Sequence, residues 1–270
     1  NQLYRSGIIQ HRQQHVHVVN IVLNFPFKST LNNKRIHVVT YLLNGTKTFV
    51  TNAGIAGLFI VFAKTDPSAG RKGMSCFVID RESSGITLGA SEKKVGIRAS
   101  DTREVNLADV KVPKENLCGK AGDGFKQAVT ILNSGRIGVA FQATGIARSA
   151  FEEALKYSKV RKQFDATLSS FQAIQFKLAE MALRIDAGRL LAYRAVTLKD
   201  AGKPCHREAS MAKLYCSQAA NYVCNEAVQI HGGYGYIKEY PVERYFRDAR
   251  VTEIYEGTSE AQRMVISQDL

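Results

Sequence analysis

From Tyr41 to Val112 the chain carries short runs of β-branched and aromatic residues; from Phe125 onward apolar residues return every three to four positions. The first pattern is strand-like and the second helical. The strand-like runs are Tyr41–Thr51, Gly57–Ala63, Met74–Ile79, Ile86–Gly89 and Thr102–Val112. Several strands at this spacing predict a small antiparallel sheet or barrel. Asn44-Gly45 and Pro67-Ser68-Ala69-Gly70 read as turns. Pro113, Gly119 and Gly122 mark the exit from the β region. Asp123 then offers an N-cap, and Phe125, Val129, Leu132, Val139, Ala143, Ile146 and Ala150 trace one helical face. A second helix follows a Ser169/Gln172 capping box. Its stripe is Ile174, Leu178, Met181, Ile185, Ala192 and Val196, ended by Gly202-Lys203-Pro204. A third carries Ala209, Ala212, Cys216, Ala219, Val223, Ala227 and Ile230, small side chains that let a neighbour approach closely, and Gly232-Gly233 closes it. A short helix around Val242–Tyr245 and a last one after Thr258 complete the pattern.

These elements predict an α+β fold: a small antiparallel β domain followed by an antiparallel four-helix-type bundle. The expected organisation is an arm over residues 1–39, a partial β domain over 40–118 and a helical domain over 119–270. The arm has no Asp or Glu and holds four of the six histidines. His11, His15 and His17 lie close together, but no acid, cap or period accompanies them. The segment reads as a loosely ordered arm, or as a segment foreign to the domain, rather than a metal site. The chain opens on Asn1, and we expect it to be a fragment.

Composition sharpens this picture in two places. At 45% hydrophobic and 23% charged, the chain has the make-up of a globular protein with a core. No apolar run approaches the roughly 20 residues that span a bilayer. The net charge of +13 is scattered and not interleaved with aromatics, which favours small phosphorylated ligands over nucleic acid. Cys76, Cys118, Cys205, Cys216 and Cys224 are odd in number and lack a Cys-x-x-Cys, so neither a disulfide framework nor zinc is indicated.

The candidate chemistry centres on Ile254-Tyr255-Glu256-Gly257-Thr258-Ser259-Glu260-Ala261-Gln262-Arg263. Ser259 and Gln262 fit a capping box, with Thr258 as the neighbouring cap. Glu256 then lies just outside a helix start, on a turn that Gly257 lets bend. A carboxylate beside the free N–H groups of a helix start suits a general base next to an anion site. An acid there also simply complements the helix dipole.

The stretch closely resembles the C-terminal signature of the acyl-CoA dehydrogenases, and from Asn44 onward further blocks follow in the family's order. Phe49-Val50-Thr51-Asn52 looks like its Trp-Ile-Thr-Asn block, with Phe49 in place of Trp. Leu132-Asn133-Ser134-Gly135-Arg136 looks like its turn near the acyl-CoA. Arg161-Lys162-Gln163-Phe164 resembles Arg-x-x-Phe-Gly, with Asp165 in place of the glycine. Phe171-Gln172 and Gln229-Ile230-His231-Gly232-Gly233 resemble two further cofactor blocks.

The resemblance implies FAD-dependent α,β-dehydrogenation of a short or branched-chain acyl-CoA in fatty acid β-oxidation. It implies Glu256 as the base that removes the α-proton, and substrate contacts at Asn133, Arg136, Tyr255 and Gly257. It implies cofactor contacts at Phe49, Val50, Thr51, Arg161, Phe164, Gln172, Gln229, Gly232, Gly233, Thr258, Ser259 and Glu260. It also implies a homotetramer built as a dimer of dimers, with Arg161 reaching the FAD pyrophosphate of a neighbouring subunit. It further implies that electrons pass to an electron-transfer flavoprotein, in the mitochondrial matrix of a eukaryote or the cytoplasm of a bacterium. A few relatives place their catalytic Glu at the position of Gly135; Gly135 here points to the commoner arrangement. The alternative is a truncated, non-catalytic relative that keeps only the oligomerising bundle, because the family's N-terminal helical domain is not visible.

Overall fold

The computed structural model describes residues 40–270; the arm with His11, His15 and His17 lies outside the described residues. The chain divides into two compact units, one running to Lys93 and including Ala99–Val129, the other comprising Lys94–Arg98 and Thr130–Leu270.

The first unit holds β1 (Thr40–Thr51), β2 (Leu58–Lys64), β3 (Met74–Asp80), β4 (Ile86–Leu88) and β5 (Thr102–Pro113), close to the runs that the alternation predicts. β5 lies between β1 and β4, antiparallel to both, and β2 pairs with β3 as a hairpin. Phe59, Val61, Phe77, Val105, Val110 and Val112 close one apolar core between them. Pro67–Gly73 forms the predicted reversal as a 3-10 turn, opened by Asp66 accepting from the Ser68 N–H at 2.9 Å.

Asn44-Gly45 is not a turn. It lies inside β1, where the pairing with β5 slips between Leu43 and Gly45. The Asn44 side chain donates to Asp109 Oδ1 at 3.0 Å and accepts from the Asp109 N–H at 2.8 Å, and Asp109 has φ 52°. The dipeptide's freedom is spent on a bulge that bends the strand.

The second unit is built on α1 (Gly124–Val160), α2 (Gln172–Asp200) and α3 (His206–His231), followed by α4 (Val242–Ala249) and α5 (Ser259–Ser267). Ala143 and Ala150 of the α1 stripe, Met181 and Ala192 of the α2 stripe, and Ala212 and Val223 of the α3 stripe share one core. Phe125, Val129, Leu132 and Ile146 of the α1 stripe are only half-buried, and Ala140, Ala147 and Ala220, outside the predicted stripes, join the core instead. Small side chains set the spacing. A Cβ on Gly188 of α2 would stand 3.1 Å from Cys216 Sγ of α3, and that thiol donates to the Gly188 carbonyl at 3.2 Å. A hairpin, β6 (Lys162–Gln163) with β7 (Ala166–Thr167), links α1 to α2. Its two-residue turn is Phe164-Asp165, with φ 50° and 61°. Two positive φ values in succession define a type I′ turn, which explains why glycine suits position 165 and why Asp tolerates it. Among the described residues, no helix is long and apolar enough to cross a membrane.

The Ser169/Gln172 capping box does not form. Ser169 sits in a 3-10 turn with its hydroxyl on Thr167 Oγ1 at 3.2 Å, and extended Phe171 (φ −82°, ψ 126°) separates it from α2. Gln172 is therefore the first residue of the helix, not its third. The tight core yields a testable expectation. Ala220→Leu should cost about 1–3 kcal/mol through overpacking, measured by urea unfolding followed by circular dichroism.

Candidate functional site

Glu256 sits two residues before the cap of α5. The cap is Thr258, whose hydroxyl accepts from the Ala261 N–H at 3.3 Å. Ser259, the first residue of the helix, is buried with its hydroxyl unpartnered among the described residues. The Ser259/Gln262 capping box is thus replaced by the Thr258 cap. Gln262, fully buried, instead reaches back to the carbonyls of Glu256 at 3.1 Å and Gly257 at 2.9 Å. These bonds tie down a backbone that is left-handed at both residues, with φ 52° and 93°. Glycine adopts this readily; glutamate does not, so the turn is over-determined by its surroundings.

The turn delivers the carboxylate to α1. A Cβ on Gly135 would lie 2.5 Å from Glu256 Oε2, so the acid fills the space that any side chain at 135 would need. Positions 135 and 256 converge on one place. Beside it, Arg136 is buried, with Nη1 3.2 Å from Ser210 Oγ and 3.4 Å from Asn133 Oδ1, while Nε is unpartnered among the described residues. Tyr255 donates its hydroxyl to Gln142 of α1, and burial pushes it up to about 12. Lys213 of α3 is fully buried and donates to the Gly257 carbonyl at 2.7 Å. Burial raises the Glu256 carboxyl above its ordinary range; Arg136 and Lys213 pull it back. A carboxylate held this way is a stronger base than one in water. Glu260 is exposed.

A second group of candidates meets elsewhere in this unit. Arg161, Gly232 and Gly233 line a cavity of about 450 Å³ with Tyr157, His231 and Tyr234. The Arg161 guanidinium stands 5.5 Å from the centre of the Tyr234 ring. Gly232 has φ 60° and ψ −134°, open only to glycine. His231 stacks on Tyr157 at 4.2 Å, and its Nδ1 lies 2.8 Å from the Ala227 carbonyl. A carbonyl only accepts, so Nδ1 carries the proton and Nε2 is a bare acceptor, buried and unpartnered among the described residues. The volume is in the usual range of about 300–1,000 Å³ for small-molecule sites. A guanidinium beside two side-chain-free residues fits an anionic diphosphate. Gln229 and Gln172 are exposed next to this loop and at the start of α2, and Phe164 is 90% exposed. Phe49, Val50 and Thr51 belong to the other unit: Phe49 is exposed with φ 58° at a bulge in β1, Val50 is buried and Thr51 ends the strand.

Sequence reasoning missed Lys213, Gln262 as a carbonyl clamp, Ser210 and Gln142. Only Lys213 left a signal: it interrupts the small apolar stripe of α3 at helical spacing from Ala209 and Cys216.

With this geometry in place, a model of the acyl-CoA dehydrogenase C-terminal domain matches residues 122–270, and one of the middle domain matches residues 27–110. The latter begins thirteen residues before the boundary expected at 40. Short-chain specific acyl-CoA dehydrogenase, mitochondrial, of Mus musculus is 51% identical over 231 residues, 86% of this chain and 56% of the relative. Caffeyl-CoA reductase-Etf complex subunit CarC of Acetobacterium woodii is 51% identical over 227 residues, 84% of this chain and 60% of the relative. The structure of butyryl-CoA dehydrogenase from Megasphaera elsdenii matches with a TM-score of 0.83 at 51% identity, over 85% of this chain and 60% of that one. The chain thus spans about 60% of the length of such relatives.

Two outcomes test the geometry. Gly135→Ala should destabilise the chain while Glu256 is present and far less in a Glu256→Ala background, a coupling of about 0.5–3 kcal/mol in a double-mutant cycle. The Glu256 carboxyl binds its proton more tightly folded than unfolded. Its favourable contribution is therefore complete at acid pH and lost as pH rises through the folded value. Glu256→Gln should unfold at a higher temperature than the parent chain at neutral pH, with the gap closing below the ordinary glutamate range.

Proposed function

The chain belongs to the acyl-CoA dehydrogenase family, and from that premise we propose that it serves the FAD-dependent α,β-dehydrogenation of a short or branched-chain acyl-CoA. One observation carries the proposal: a half-buried carboxylate, presented by a left-handed turn into space cleared by Gly135, with its proton affinity raised. Those are the requirements of a base that must accept a weakly acidic α-proton. Glu256 takes that proton at its carboxylate, and its own amide donates to the thioester carbonyl, an oxyanion-hole arrangement. Arg136, with Asn133 and Tyr255, orients the acyl-CoA. FAD, when bound, would supply the acceptor for the β-hydrogen, which leaves as hydride. Phe49, Val50 and Thr51 would line its ring, and Arg161, with Gly232 and Gly233 beside it, would hold the diphosphate of an FAD bound by a neighbouring subunit. Exclusion of water by the acyl chain raises Glu256 further.

A homotetramer is part of this reading. Phe176, Leu183 and Leu190 are 63%, 63% and 68% exposed at seven-residue spacing on α2, a helix face suited to a second copy. An electron-transfer flavoprotein is the proposed acceptor, in keeping with a relative named as part of an Etf complex. The compartment follows the source, mitochondrial matrix or bacterial cytoplasm.

The second reading is a non-catalytic relative that retains the bundle. An absorbance spectrum separates the two. We expect a flavin band that bleaches on anaerobic addition of butyryl-CoA; a colourless protein that stays colourless with FAD supplied supports the second reading. Glu256→Gln should keep the flavin and lose at least about 100-fold in turnover, the usual scale for removing a general base.

A further inference from the structure

Lys213 lies on the inward face of α3 with no solvent exposure. A buried ammonium is costly unless its donors are answered. Its Nζ donates to the Gly257 carbonyl at 2.7 Å. The same oxygen accepts from Gln262 Nε2 at 2.9 Å, and that amide also lies 3.1 Å from the Glu256 carbonyl. A carbonyl oxygen has two lone pairs, so both donors are accommodated. Two helices, α3 and α5, therefore converge on the two peptide oxygens that define the left-handed turn. The charges that act on Lys213 come from every element around it: Glu253 before the turn, Glu256 on it, Glu260 on α5, and the cation Arg136 on α1.

We infer that Lys213 is the positioning residue of the Glu256 turn, clamping the Gly257 carbonyl and keeping a buried positive charge behind the carboxylate that the turn presents. The inference rests on the reading of Glu256 as the base, while the contacts stand without it. Gln262 alone supplies a neutral clamp; what Lys213 adds is charge. Burial drives Lys213 down to about 8 and Glu256 up, and each group opposes the displacement of the other. At neutral pH Lys213 remains protonated and holds Glu256 below the value that burial alone would set. The charge of Lys213 thus offsets part of what burial does to the proton affinity of Glu256.

The experiment is carbon-13 NMR of the whole chain labelled at the glutamate carboxyl carbon, with the Glu256 signal assigned by its loss in Glu256→Gln. In the parent chain, the Glu256 carbon should show its main protonation step and a second, smaller inflection near pH 8 as Lys213 releases its proton. Lys213→Gln retains an amide donor and loses the charge. It should abolish the second inflection and raise the proton affinity of Glu256 by about threefold or more. An unchanged main step in a folded Lys213→Gln, or no second inflection in the parent chain, overturns the inference. Where Lys213→Gln fails to fold by circular dichroism, the inflection in the parent chain decides alone. None of these readings requires flavin or turnover, so failure of the dehydrogenase reading is seen separately in the absorbance experiment.

Discussion

The site depends on one constraint: a glutamate must occupy a backbone conformation that glutamates avoid. At φ 52°, two residues before the cap of α5, the Glu256 side chain enters the space over Gly135. Such a conformation survives only where more interactions fix it than it needs. Gln262 and Lys213 hold the carbonyls, Thr258 starts α5 directly behind the turn, and the Tyr255 hydroxyl anchors its other side to Gln142 of α1. The contacts come from three helices, so the turn is a meeting point of α1, α3 and α5 rather than a property of its own short sequence.

That meeting is possible because the helices carry small residues where they cross. Ala140, Ala143 and Ala147 on α1, with Ala209, Ala212 and Cys216 on α3, bury little volume each and let backbones come close. Close backbones bring Arg136, Lys213 and Glu256 within reach of one another's fields. The same closeness removes water, which acts against all three charges. Attraction does not cancel that cost: the Glu256 carboxyl still stands above its ordinary value, and Arg136 and Lys213 below theirs. A buried group of charges is weak evidence for stability. Here it reads better as a device in which Arg136 and Lys213 offset part of what burial does to the proton affinity of Glu256.

Much of the fold was legible because its signals are local. The five strand runs fell within a residue or two of the observed strands, and the α3 stripe is buried at every predicted position. Glu256, Gly257 and the α5 start were legible for the same reason, since turn and cap chemistry are written in adjacent residues. What failed was the choice among local options that tertiary contacts decide. Asn44-Gly45 has the chemistry of a turn, but its partner is Asp109 across the sheet. Gln262 has the spacing of a capping box, but two carbonyls of the preceding turn claim it. Lys213 was passed over because helical periodicity treats a lone polar residue in an apolar stripe as noise, although a charge buried there needs a partner and therefore a reason.

Backbone strain offers a route to the site that owes nothing to resemblance. Among the described residues, seven that are not glycine have positive φ: Phe49, Asn52, Ile97, Asp109, Phe164, Asp165 and Glu256. Asn and Asp enter this region at little cost, which sets aside Asn52, Asp109 and Asp165. Of the four that remain, Phe49, Phe164 and Glu256 had been singled out from sequence as cofactor or catalytic positions. Ile97 had not, and a β-branched residue is the least expected there. It is held by Asp248, whose Oδ1 accepts the Ile97 N–H at 2.6 Å, while Arg247 donates to the Val95 carbonyl at 3.0 Å. Gly96 between them has no room for a Cβ, which would fall 2.3 Å from the Arg247 carbonyl. The 94–98 segment is thus clamped to α4 as firmly as the Glu256 turn is clamped to α3 and α5. A fold that tolerates strained residues at three candidate positions, and spends comparable contacts on a fourth, marks Ile97 as a place where backbone shape is under the same demand as the site itself.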